Sequence, residues 1–148
     1  MKTFFDKNAQ DELNQRFSKL NEKSESQWGK MSAAQMLAHC TVAMQTPVGD
    51  IQVKGPWGLS LIGRMFKGML VSDKPFSKNS PTAKEFLMRD PRDFAAESDR
   101  FQKAFQKLAQ GPSLITCHKH PFFGNMSTDD WGHLMYKHLD HHFRQFGV

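Results

Sequence analysis

Two histidines near the end of the chain, His138 and His142, stand four residues apart, and a third, His141, lies between them. Residues at this spacing lie on one face of an α-helix, with β-carbons about 5–6 Å apart. Two imidazoles held in this way can bind one divalent ion. The pair alone is a weak indication, because a histidine-rich helix end also interacts favourably with the negative C-terminal end of the helix dipole.

The third ligand that such an ion needs is expected from His39. This residue lies at the edge of an apolar stripe, where a histidine is more often half-buried with satisfied hydrogen bonds. If the helix that carries His39 is a neighbour of the last helix, three neutral imidazoles and a solvent molecule would form an open site. Imidazole suits several divalent metals, so Zn, Ni and Fe all remain candidates for the cofactor.

Two further histidines are weak candidates for a catalytic role, because a metalloenzyme normally needs a positioned proton acceptor. His120 lies in the loop before the last helix, where histidines are usually ordinary surface residues. His141 lies about 60° round the helix from His138 and is expected to hydrogen-bond near the site or to reach solvent. Asp140 lies on another side of the same helix and is expected to be a surface charge.

Four amphipathic segments must position these residues, and apolar side chains three or four residues apart predict that each is an α-helix. The second begins with Ser32 as N-cap and Gln35 completing a capping box. Cys40 points about 100° away from His39 and belongs to the apolar stripe. The predicted helices are Asn8 to Leu20, Ser32 to about Pro47, Pro91 or Arg92 to Ala109, and Ser127 or Thr128 to the end of the chain.

The segment from Asp50 to Asp90 has no clear periodicity. It contains an apolar stretch, residues 59–71, that predicts a short helix weakened by two glycines. Such a long excursion indicates a crossover connection or a lid. Ser113 to Cys117 is expected to be briefly β-like. Together these features predict an all-α four-helix bundle with a long crossover excursion between the second and third main helices.

Composition describes one ordinary globular domain, residues 1–148, with 39% apolar and 24% charged residues. No apolar run approaches the roughly 18 residues of a membrane span, and the N-terminal residues lack a signal-peptide pattern. We therefore expect a cytoplasmic protein without membrane contact. The net charge of +5 is scattered along the chain, which argues against a nucleic-acid partner.

Two segments resemble the DinB-like (YfiT-like) superfamily. WGKMSAAQMLAH at residues 28–39 is similar to its histidine-bearing second helix, and HLDHHFRQ at residues 138–145 is similar to its H-x-x-H-H-x-x-Q final helix. HPFFG at residues 120–124 and YKHLDHH at residues 136–142 resemble an uncharacterised bacterial branch of this superfamily, catalogued as a domain of unknown function.

The resemblance implies a DinB-like bundle in which His39, His138 and His142 hold a divalent metal. Characterised relatives include thiol-dependent transferases and isomerases. The first hypothesis is therefore a metalloenzyme that activates water or a low-molecular-weight thiol, of the thiol transferase or hydrolase type, with a small-molecule substrate. The alternative is a non-catalytic metal- or ligand-binding bundle that acts through partner or oligomeric contacts, including a homodimer.

Overall fold

The computed structural model describes residues 2–53, 68, 72, 74–78, 86–120 and 122–148. Most of this part of the chain is α-helical, and the prediction of an all-α, four-helix arrangement is confirmed. The elements are α1 (Lys7–Phe17), α2 (Ala33–Gln45), α3 (Phe94–Leu108), a 3₁₀ turn (Pro112–Leu114), β1 (Lys119–His120), β2 (Gly124–Asn125) and α4 (Thr128–Gln145).

The predicted capping box at the start of α2 is confirmed. Ser32 Oγ accepts a hydrogen bond from the backbone N–H of Gln35 at 3.2 Å, and Gln35 Oε1 accepts one from the N–H of Ser32 at 3.0 Å. A second capping box, between Ser127 and Asp130, begins α4 where the sequence predicted. These caps satisfy backbone donors that an α-helix leaves unpaired at its start. They therefore define where each histidine-bearing helix begins.

The core lies between the four helices, and the most extensive helix–helix packing is that of α2 against α3. Helix α4 packs against α1 and α2. The predicted stripe on α2 is buried, including Cys40, whose Sγ lies 3.7 Å from Met36 Sδ. Burial raises the pKa of the Cys40 thiol. Cys40 is thus a core residue, and His39 on the adjacent face of α2 is directed towards α4.

Some predicted boundaries are wrong. Helix α1 ends at Phe17, and the chain continues to the buried Leu20 through turn hydrogen bonds. The expected β-like stretch, Ser113 to Cys117, is instead a 3₁₀ turn that begins at Pro112, followed by extended backbone. The two short strands lie further on, where Lys119 pairs with Asn125 across the predicted turn.

The predicted exposure of Asp140 is also wrong. Its side chain is only 13% exposed, and its Oδ1 accepts a hydrogen bond from Arg16 of α1 at 2.7 Å. Arg144, one helical turn further along α4, pairs with the same carboxylate. Because α1 packs on this side of α4, a position that periodicity assigns to solvent becomes the centre of an interhelical ion pair.

The long connection between α2 and α3 is described only in part. The short helix predicted within residues 59–71 lies outside the described residues, apart from Gly68. Ser72, Phe76 and Phe86 each touch side chains of the helices through backbone or ring contacts. In the described part of the chain, no helix has the length and apolar character needed to span a bilayer.

Candidate metal centre

His39 of α2 meets His138 and His142 of α4. The Nε2 atoms of His39 and His138 are 2.8 Å apart, and the three ring centroids are separated by 4.6–4.8 Å. One nitrogen from each ring lies within 4.8 Å of the others, so the group has the dimensions of a metal site. His39 and His142 are buried, whereas His138 is partly exposed.

A hydrogen bond to the connecting segment determines the tautomer of His39. Its Nδ1 lies 2.8 Å from the carbonyl oxygen of Phe86. A carbonyl only accepts, so Nδ1 must carry the proton and Nε2 must present a lone pair. That lone pair points towards the cluster. The Phe86 carbonyl therefore holds His39 in the form that can bind a metal.

Gln145 determines the tautomer of His142. Its side-chain Nε2 donates to the carbonyl oxygen of Trp28 at 2.7 Å, which leaves its Oε1 facing His142 Nδ1 at 2.8 Å. Because Oε1 only accepts, His142 carries its proton on Nδ1 and its Nε2 is free to act as a ligand. A side chain at Gly29, whose φ is +82°, would place a Cβ 2.5 Å from Gln145 Nε2. The Trp28–Gly29 turn thus encloses the amide that orients His142.

The surroundings keep all three imidazoles neutral. Burial lowers the pKa of His39, and burial together with repulsion from His39 lowers the pKa of His142 to about 3. Burial and repulsion from its two neighbours lower the pKa of His138 as well. The neutral charge state that metal binding requires is therefore the one present at neutral pH. No carboxylate joins the cluster among the residues that the structure describes.

His141 does not join the three ligands. Its ring contacts the rings of Trp28 and Phe76, at centroid distances of 5.8 and 6.2 Å, and that of His142 at 5.1 Å. A hydrogen bond to the backbone of Phe76 offsets part of the effect of burial, which lowers the pKa of His141. This residue borders the site and connects it to the segment between α2 and α3.

His120 is held by the turn that precedes α4. Its Nδ1 accepts hydrogen bonds from the backbone N–H groups of Phe122 and Phe123 at 3.0 and 3.1 Å. Its ring packs on Trp131 at a centroid distance of 5.3 Å, and burial lowers its pKa to about 4. Because Nδ1 is already used by the turn, it is not available as a proton acceptor for a substrate.

The structure thus brings the three predicted ligands together, places His141 next to His142, and holds His120 in the turn before α4. The orienting contacts of Gln145 and Phe86 were not predicted. Gln145 carried a usable signal, because it follows His142 by three residues and therefore lies on the same face of α4. The carbonyl of Phe86 carried none, since a backbone acceptor in a long loop has no signature in sequence.

Residues 4–147 match the model of one protein family, which is described as Protein of unknown function (DUF1569). Neither the curated proteins nor the solved structures include a significant match to the chain. The match therefore extends over nearly the whole chain and includes every residue of the histidine cluster. The relation to the DinB-like superfamily stays a prediction from the sequence segments.

Proposed function

The chain belongs to the DUF1569 family of proteins of unknown function, and we propose that it is a metal-dependent enzyme of DinB-like type. In this proposal His39, His138 and His142 bind one divalent ion. The observation that carries the proposal is the tautomer control: two of the three imidazoles have Nδ1–H bound to a fixed acceptor, so that Nε2 faces the cluster. Outer contacts of this kind accompany histidine ligands in metal sites.

The donor set fits a transition metal. Imidazole nitrogen suits Zn²⁺, Ni²⁺ and Fe²⁺, whereas Mg²⁺ and Ca²⁺ prefer oxygen ligands. Three neutral ligands, with no carboxylate beside them in the described part of the chain, leave the charge of a bound dication uncompensated, so the site favours an anion as its additional ligand. An anionic thiolate or hydroxide meets this requirement, in keeping with a hydrolase or a thiol transferase acting on a small molecule.

The exposure pattern favours a catalytic site over a structural one. A structural ion is normally enclosed by four protein ligands, whereas a catalytic ion keeps an open position. Among the described residues three protein ligands converge, and one of them, His138, is partly exposed. When bound, the ion would act as a Lewis acid that lowers the pKa of a coordinated water or thiol. The apolar rings of Phe76 and Trp28 contact His141, which lies next to His142.

Elemental analysis after loading with Zn²⁺ or Ni²⁺ tests metal binding. We expect one ion per chain in the wild type and none in the His39→Ala, His142→Ala double variant. The matched control is His118→Ala, His133→Ala, because these two histidines lie outside the cluster. A wild type without stoichiometric metal would refute the proposal, as would a double variant that binds as much metal as the control.

Catalysis is tested separately with the metal-loaded protein. We expect turnover of a small-molecule substrate in a screen that pairs low-molecular-weight thiols with electrophiles and also includes simple esters. Turnover should disappear in the double variant and persist in the control. A metal-loaded protein that binds thiols without turning over any substrate would support the alternative of a non-catalytic binding protein.

A further inference from the structure

The long connection between α2 and α3 returns to the histidine-bearing helices at several points. Its described residues, which we call the strap, are 72, 74–78 and 86–90. On the α2 side, the carbonyl oxygen of Phe86 lies 2.8 Å from His39 Nδ1, and the two ring centroids are 6.0 Å apart. The carbonyl oxygen of Asp90 accepts a hydrogen bond from Gln35 Nε2 at 3.0 Å. The strap therefore contacts both the proposed ligand on α2 and the first turn of that helix.

The other end of the strap contacts α4. Lys137 Nζ donates a hydrogen bond to the carbonyl oxygen of Ser72 at 2.9 Å and lies 4.9 Å from the ring centroid of Phe76. The Phe76 ring contacts His141 at a centroid distance of 6.2 Å, and its backbone hydrogen-bonds to the same imidazole. The strap thus has contacts with both helices that carry the histidine cluster.

The strap also reaches the residue that holds the orienting amide of His142. Lys78 Nζ lies 4.5 Å from the ring centroid of Trp28. The Trp28 carbonyl accepts a hydrogen bond from Gln145, whose Oε1 faces His142 Nδ1. Each of the two buried ligands therefore has an outer contact that involves the strap, directly at His39 and through Trp28 and Gln145 at His142.

An ion at the cluster would strengthen the hydrogen bond between His39 and the strap. An imidazole whose Nε2 binds a dication shares its positive charge, so the Nδ1–H becomes a stronger donor to the Phe86 carbonyl. The difference between a neutral hydrogen bond and a charge-assisted one corresponds to about 3- to 30-fold in the docking equilibrium of the strap. Because such coupling is reciprocal, the docked strap raises the affinity for the ion by the same factor.

We propose that metal binding and docking of the strap are coupled through the Phe86 carbonyl. An ion at His39, His138 and His142 holds the strap more tightly, and the docked strap retains the ion. The inference rests on the proposed function, because it needs an ion at this site. It assigns the connection a role in metal retention that a simple crossover between two helices does not need.

Trypsin digestion of the full chain, with and without saturating Zn²⁺, tests the effect of the ion on the strap. Lys78 and Arg89 are exposed cleavage sites within the strap, and the exposed Lys23, between α1 and α2, is the internal control. Mass spectrometry identifies the sites and gives their rates. We expect Zn²⁺ to slow cleavage after Arg89 about 3- to 30-fold, to slow cleavage after Lys78 as well, and to leave cleavage after Lys23 unchanged.

Two substitutions at Leu87 test the effect of the strap on the ion. The side chain of Leu87 is exposed, so Leu87→Ala is a matched control that should keep wild-type Zn²⁺ affinity. The backbone at Phe86 has a 3₁₀ conformation, and a proline at position 87 disfavours helical conformations at the preceding residue. Leu87→Pro should therefore move the Phe86 carbonyl away from His39. We expect Zn²⁺ affinity to fall about 10- to 100-fold, measured by competition with a chelator.

Gln35→Glu loosens the strap at a second point without changing the histidine cluster. The new carboxylate keeps an acceptor for the Ser32 N–H in the capping box but has no donor for the Asp90 carbonyl. Cleavage of the metal-free protein after Arg89 should become about 2- to 10-fold faster, the effect of one neutral hydrogen bond. Zn²⁺ should still slow this cleavage.

The outcomes separate this inference from the proposed function. Wild-type protein that does not bind Zn²⁺ refutes both. If Zn²⁺ binds but cleavage within the strap is unchanged, only the inference is wrong. Equal slowing after Lys23 also overturns it, because the ion would then stabilise the whole chain and not the strap. Equal Zn²⁺ affinity in Leu87→Pro and Leu87→Ala contradicts the role of the Phe86 carbonyl.

Discussion

Replacing Gln145 with leucine is expected to weaken metal binding by about 10- to 100-fold, the usual effect of removing an orienting partner from a histidine ligand. Leucine has a similar volume but cannot accept the Nδ1–H of His142, which Gln145 Oε1 holds at 2.8 Å. The buried ring then loses its preference for the Nδ1–H tautomer. Whenever the proton moves to Nε2, the ligand atom is blocked.

The same substitution has a second, separable effect on folding. Gln145 is buried and makes two side-chain hydrogen bonds, to His142 and to the carbonyl of Trp28 at 2.7 Å. Leucine leaves both partners unpaired, at a cost of about 1–3 kcal/mol each. We therefore expect the free energy of unfolding of the metal-free protein to fall by about 2–6 kcal/mol, measured by urea denaturation.

Gln145→Glu distinguishes the two effects. A carboxylate can accept from His142 but cannot donate to the Trp28 carbonyl, so metal affinity should be retained while stability falls. Gln106→Leu, at an exposed position of α3, controls for the general effect of the substitution. Metal affinity is measured by competition with a chelator of known affinity. If Gln145→Leu binds metal as tightly as the wild type, the tautomer argument is wrong, even if stability falls as expected.

Three further predictions concern the surroundings of the site. Gly29→Ala places a side chain at a residue with positive φ and against the Gln145 amide. The free energy of unfolding in urea should therefore fall by about 1–3 kcal/mol, and metal binding should weaken. Unchanged metal affinity would contradict the proposed contact. Asp140→Ala removes the carboxylate that pairs with the largely buried Arg16, which keeps its hydrogen bonds to the backbone carbonyl of Val148. We expect a loss of about 2 kcal/mol in urea unfolding with no change in metal affinity, and a loss of metal would place Asp140 in the site. The third prediction concerns pH. The pKa of His120 is near 6.5 in the unfolded chain, and burial lowers it to about 4 in the folded protein. Because the unfolded state binds more protons between these two values, the free energy of unfolding falls as the pH falls. In His120→Asn the loss of unfolding free energy from pH 7 to pH 5 should therefore be smaller by about 2 kcal/mol, and an equal loss in both proteins would refute the buried, neutral state.

Much of the helical architecture could be predicted because its causes are local. The capping box of Ser32 and Gln35 and the start of α4 at Ser127 depend on residues three positions apart. The HxxxH pair on α4 could be recognised for the same reason, since helical geometry places its members on one face. Helix ends were less accurate, as at Phe17, because the final turn depends on what packs against it.

The candidate site was predictable as a set of residues but not as a chemical environment. The neighbourhood of His39 and the HxxxH pair was expected only through a resemblance between segments, and the structure shows the three rings together. That they bind a metal stays a prediction. The protonation state of each ring depends on long-range contacts, such as the Phe86 carbonyl and the bond from Gln145 to Trp28. Sequence spacing does not report contacts of this kind.

The positions of the histidines along the helices and their chemical states have different causes. The sequence by itself determined which faces of α2 and α4 carry imidazoles, because the α-helical repeat is a local property of the backbone. Only the tertiary structure decided that His39 faces His138, that Asp140 is paired with Arg16, and that the Nδ1 of His120 accepts hydrogen bonds from the turn before α4. The physical reason is that burial and hydrogen-bond partners select the charge and tautomer of a titratable group, and both depend on which distant segments pack together.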